Sequence, residues 1–152
     1  MASITYINEA TDAVIARLNA AKTTLGNFTR ITERDEDPAV LSTSGDMPIM
    51  VVIPLADRPD RVTMTMGDTG GELRHDFSIS IIGYHLYNTL DDDLRTLRGY
   101  AFTVLDLFRK GANAQLGSAH VYSASVDVGY FVMVDYPIYR YIITLNCKMI
   151  EV

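Results

Sequence analysis

Cysteine is almost missing from this chain. Cys147 stands alone, so neither an internal disulfide nor a multi-cysteine zinc site can form. Its alternation with Leu145 and Met149 predicts a buried structural thiol. Positive charge is scarce as well: 13 Lys and Arg stand against 19 Asp and Glu, for a net charge of −6. That balance argues against wrapping nucleic acid, where affinity comes from cationic contacts to phosphate. Acidity suits a surface that DNA must pass without sticking, and it is equally the ordinary state of a soluble bacterial protein. No apolar run approaches the length needed to span a bilayer, so no membrane partner is expected. The start, Met1-Ala2-Ser3-Ile4, lacks a basic region followed by an apolar stretch. No secretory signal is therefore expected, and the chain is expected to fold in the cytoplasm. Internal repeats and low-complexity tracts are absent too.

Recognisable reaction chemistry is equally thin. Ser42, Ser44, Ser118, Ser123 and Ser125 lie in no Gly-x-Ser-x-Gly pattern. The run Gly67-Asp68-Thr69-Gly70-Gly71 lacks the Gly-Lys-Ser/Thr ending of a phosphate loop, and no helix follows it. The three histidines, His75, His85 and His120, have no ligand spacing. His75 and His85 share strand parity but sit roughly 33 Å apart on an extended strand. Asp91, Asp92 and Asp93 are consecutive helical residues that point in different directions and cannot converge on one ion. A helix start favours negative charge without any metal. Asp127 and Asp135 near Gly129 come nearest to a strand-end carboxylate site. The expectation is a protein with no catalytic residue, no cofactor and no metal.

What the chain does have is pattern. At 152 residues and 48% apolar composition it is one domain with a real core. Ile7, Ala10, Val14, Leu18, Ala21 and Leu25 recur at spacings of three and four, which predicts a helix over 6–25 that Gly26 and Asn27 stop. Residues 28–32 suit a short strand, and 33–47 an exposed loop. Ile49 to Ile53, between Pro48 and Pro54, predicts a well-buried strand. From Leu73 to His85 the chain alternates strictly. Leu73, His75, Phe77, Ile79 and Ile81 fall on one face; Arg74, Asp76, Ser78 and Ser80 fall on the other. Thr89 with Asp92 resembles a capping box for a helix over 90–110, whose apolar face is Leu94, Leu97, Ala101, Val104, Leu105 and Phe108. Residues 121–135 suit one or two strands interrupted near Gly129. Ile138 to Ile150 predicts a closing strand.

The expected fold is α+β: an antiparallel β-sheet, two helices packed on one face, and a protruding β-hairpin arm, all in a single domain over 1–152. Leu18, Ile53, Ile79, Ile81, Leu97, Ala101, Leu105, Ile143 and Leu145 are the expected core. Residues 56–72 suit a flexible arm, since their glycine and charge leave little apolar area to offset ordering. Tyr122, Tyr130, Phe131, Tyr136, Tyr139 and Tyr141 crowd the C-terminal strands. They suit either a tyrosine-rich sheet face or a subunit interface. Stacking on single-stranded nucleic acid needs basic company, which 121–139 lacks.

This layout resembles the tail terminator proteins of long-tailed bacteriophages. The elements that carry the resemblance are the helix Ile7 to Leu25, the strand between Pro48 and Pro54, the hairpin arm, the long strand Leu73 to His85, the helix Leu90 to Lys110 and the strand pair Val121 to Ile150. The resemblance covers nearly the whole chain, but it is one of element order and length rather than of a fixed motif. It implies a structural virion protein made in the bacterial cytoplasm. Such a protein forms a ring, typically a hexamer, on the last ring of tail tube protein. It stops tube growth and docks a head-side connector or head-closure protein, while DNA passes through without specific binding. A closing ring needs a head-to-tail interface. Arg58, Arg61, Met64 and Met66 of the arm, with Tyr130, Phe131 and Tyr136 at a sheet end, are the expected contact residues. Other neck proteins, and a small ligand-binding protein or enzyme, remain the alternatives.

Overall fold

The structure, a computed structural model, describes residues 5–33, 48–55, 62–64, 73–86, 90–109, 111–132 and 137–151. Helix α1 spans Thr5–Ala20 and passes into a 3-10 turn, Lys22–Leu25. Gly26 ends it with φ +81° and Asn27 follows at +55°, a left-handed pair that glycine and asparagine tolerate best. Strands β1 (Ile31–Thr32), β2 (Ile49–Leu55), β3 (Val62–Met64) and β4 (Leu73–Leu86) come next. Helix α2 (Leu90–Asp106), a short 3-10 turn (Gly111–Ala114), and strands β5 (Gln115–Leu116), β6 (Ala119–Val132) and β7 (Pro137–Glu151) complete the chain.

The strands form one seven-stranded sheet in the order β1-β2-β4-β7-β6-β5, with β3 also on β4. β4 and β7 are its spine, antiparallel from Leu73↔Glu151 to Leu86↔Ile138. On its other side β4 takes β3 at Leu73–His75 and β2 at Ser78–Tyr84. The hairpin pairing of β3 with β4 is therefore present; the remainder of the arm lies outside the described residues. Only β1 departs from the antiparallel expectation, running parallel to β2. β6 is continuous through Gly129, contrary to the expected break. Its irregularity falls instead between Val121 and Ser123, where Tyr122 is an extra residue against β7.

Both helices lie on one sheet face. Strand periodicity puts Phe77, Ile79 and Ile81 with Tyr139, Tyr141, Ile143, Leu145, Cys147 and Met149 on that side. The α1 stripe Tyr6, Ile7, Ala10, Val14, Leu18 and the α2 stripe Leu97, Ala101, Val104, Leu105, Phe108 close over them. Ile53 is not part of this core: it is half-buried on the opposite face beside Ile49, Val51, Ile82, Tyr84 and Ile138. Its register explains the error, because in β2 the helix-facing residues are Met50 and Val52. Helix α2 is shorter than expected. It ends at Asp106, whose carboxylate meets Arg109 at 3.4 Å, and Thr89 with the proposed cap lies outside the described residues. No described helix is long and apolar enough to cross a membrane.

Candidate functional site

β7 holds the key to where surface chemistry falls. Its odd-numbered residues face the helices, so Tyr139 and Tyr141 are core side chains, 1% and 0% exposed. Of the two roles the sequence left open for the C-terminal tyrosines, Tyr139 and Tyr141 take the sheet-face one, turned inward. Tyr141 sits cross-strand from Gly83, and a Cβ there would lie 2.3 Å from the ring. Its hydroxyl donates to Met50 Sδ at 3.3 Å. The glycine is thus the floor on which the tyrosine ring lies.

The same end of the sheet holds His85. Its ring stacks on Tyr100 of α2 at 5.2 Å between centroids and lies 5.9 Å from Tyr141. Burial strips water from the imidazole and lowers its pKa to about 4, so it is neutral at pH 7. His75 sits at the far end of β4, its Nδ1 3.4 Å from the Tyr6 hydroxyl. His120 pairs across from Lys148. The three histidines thus stay apart, and no group of three His, Cys, Asp or Glu among the described residues could share a metal ion. Cys147 is buried, and burial pushes its thiol up to about 12, which makes it an unreactive core group.

The even-numbered residues of β7 build the opposite face. Ser78, Asn146 and Ser123 lie in one cross-strand row, with Asn146 Nδ2 donating to Ser123 Oγ at 2.9 Å. Ser80, Thr144 and Ser125 form the next row. Asp76 pairs across from Lys148, whose Nζ lies 5.5 Å from the Tyr122 ring. Beyond the buried apolar patch of Ile49, Val51, Ile82, Tyr84 and Ile138, this face offers hydroxyls and amides, with Asp76 opposite Lys148. Such groups can make hydrogen bonds; they include no nucleophile–base pair.

The expected contact residues divide between two ends of the sheet. Met64 pairs with Leu73, which lies across from Glu151. Tyr130 and Phe131 pair with Tyr139 and Ile138. The backbone therefore separates Met64 from Tyr130 by roughly 40 Å along β7. Arg58, Arg61, Met66 and Tyr136 lie outside the described residues.

Sequence reasoning missed two features. Arg17, on α1, donates to the carbonyls of Leu107 at 3.1 Å, Gln115 at 2.7 Å and Asn113, and lies 5.4 Å from the Phe108 ring. It fastens α1 to the chain that leaves α2. Phe102 is 52% exposed on α2, one of two large apolar side chains so exposed among the described residues; Tyr122 is the other. The available signal was its position off the apolar stripe of α2, one residue past the buried Ala101.

No family model matches the chain, and no curated protein sequence matches it. Its fold is similar to that of a chain in a solved structure described as the virion of a native gene transfer agent (GTA) particle. The two are 17% identical, superpose with a TM-score of 0.50, and overlap over 93% of this chain and 94% of the other. At that identity the likeness is one of fold.

Proposed function

We propose that this chain is a structural protein of a phage-like virion, and that its station there is the tail terminator. The observation that carries the reading is the shared fold with a virion chain over nearly the full length of both. The chemistry supports the same reading: rows of hydroxyls and amides cross the sheet face away from the helices, and the buried His85 and Cys147 are packing groups.

In this role the protein closes into a hexameric ring on the last ring of tail tube protein, stops tube growth, and presents a docking face to the head-side connector. Its net charge of −6 suits passage of DNA with little adhesion. The proposed contacts are Arg58, Arg61, Met64 and Met66 on one side, with Tyr130, Phe131 and Tyr136 on the other. Two separate patches are what a head-to-tail ring requires. The test is electron microscopy of the purified protein, alone and mixed with growing tail tubes. Rings, and tubes halted with a cap, are the expected result. Tubes that elongate unchanged and carry no added density overturn the tail terminator role. Deletion of residues 60–70 should leave a folded chain by circular dichroism that no longer caps tubes.

A further inference from the structure

Helix α2 turns a stripe to solvent that the fold leaves unused. Arg95, Arg98, Gly99, Phe102, Asp106 and Arg109 are all exposed, and their spacing puts them within about 100° of the helix circumference. Phe102 is half in water. Arg109 is held by Asp106, whereas Arg95 and Arg98 form no ion pair among the described residues. Gly99 sits in the helix interior, where alanine is more stable by about 1 kcal/mol. A Cβ on Gly99 would meet nothing within 4 Å, so no contact among the described residues calls for glycine there. An exposed aromatic, two exposed arginines and a position open to close approach are the makings of an interface centre.

Helix α1 turns out a stripe of complementary character. Glu9, Asp12, Ala16, Asn19 and Ala20 are exposed on one side, acidic toward the start and small toward the end. Glu9 reaches Ser118 at 3.5 Å. Spacing matches term by term: Arg95, Arg98 and Phe102 are separated by three and four residues, as are Glu9, Asp12 and Ala16. Laid parallel, the two stripes set each arginine against a carboxylate and the phenyl ring on a flat alanine surface, with Gly99 admitting close approach.

We infer that the occupant of the α2 stripe is α1 of a second copy of this chain, docked in parallel. The two stripes lie on different helices, so a copy that offers α1 to one neighbour and α2 to another makes a head-to-tail contact that can propagate from copy to copy. This deepens the ring reading, on which it rests, by adding a helix-layer contact to the sheet-end patches.

The test is a charge swap. R95E/R98E should weaken self-association at least about tenfold in sedimentation experiments while leaving circular dichroism unchanged. Adding E9K/D12K to it should restore association; E9K/D12K alone should weaken it. Phe102→Ser gives an uncharged check and should also weaken it. Wild-type self-association that survives R95E/R98E overturns the interface, and so does failure of the fourfold variant to regain it. A wild-type chain that stays monomeric also overturns it. Rings that persist in R95E/R98E sink this contact alone, whereas wild-type protein that neither forms rings nor caps tubes sinks the tail terminator reading.

Discussion

The two faces of the sheet are written by the same strands in alternate residues, yet they behave as different materials. Toward the helices, β7 presents Tyr139, Tyr141, Ile143, Leu145 and Cys147, each 1% exposed or less. Away from them it presents Arg140, Ile142, Thr144, Asn146 and Lys148, all half-buried. One face gains its stability from displaced water and close packing, and it tolerates little change. The polar rows of the other, beside its buried patch of Ile49, Val51, Ile82, Tyr84 and Ile138, exchange hydrogen bonds with water or with neighbouring side chains at small net gain. Stability and interaction have been separated by a period of two.

Truncation on the helix face should break the comparison most sharply. Leu145→Ala removes a fully buried side chain beneath the helices. It should cost about 4 kcal/mol, read as a shift in the urea midpoint. Acid should reach the same face through His85. The unfolded chain takes up a proton near pH 6.5, while the folded chain, with the imidazole pKa lowered to about 4, does not. The stability this group contributes is complete above pH 6.5 and is lost progressively as pH falls to 4. About 3 kcal/mol goes over that window. The difference between the stability profiles of wild type and His85→Leu should have that slope; parallel profiles would show the imidazole to be solvated.

A smaller effect is expected from adding an atom than from removing several. Gly83→Ala drives a methyl into the Tyr141 ring, which is fixed by the surrounding core. It should cost about 2 kcal/mol and disturb the near-ultraviolet tyrosine signal. The smallest change should come from the polar face. Asn146→Ala loses a hydrogen bond to Ser123 and a long one from Ser78, both near the surface, and thermal unfolding should register about 1 kcal/mol. A large loss there would mean that the polar rows are structural, and the contrast between the faces would fail.

Much of this fold was legible because one signal repeats. The alternation Leu73 to His85 marks β4 to within a residue, and Gly26 with Asn27 marks the end of the first helical region. The stripes of α1 and α2 predicted their buried faces. What escaped were features set by distant partners. β1 runs parallel to β2 through an intervening segment that periodicity does not describe. Ile53 reads as core because a short apolar run gives no parity. Tyr139 and Tyr141 sat in the inward register all along. Their hydroxyls suggested a surface, and only Gly83 and Met50 across the strands show how a tyrosine ring is accommodated inside.

The expected contact residues were chosen by composition, and composition does not encode distance. The backbone puts Met64 and Tyr130 at opposite ends of the sheet, a separation that no local pattern contains. The exposed stripe of α2 carries a related lesson. Phe102 and Gly99 look like ordinary helical residues until the fold shows Phe102 half in water and Gly99 with no contact among the described residues that calls for glycine.

By itself the sequence determined the types of the long elements and the inward faces of α1, β4 and α2, because local periodicity and left-handed glycine positions are properties of neighbouring residues. Tertiary structure alone decided strand order, the placing of His85 under Tyr100, the Arg17 fastening, and which apolar side chains remain in water. Those depend on which segments meet across dozens of residues, where pairing register and mutual burial, rather than local preference, set the free energy.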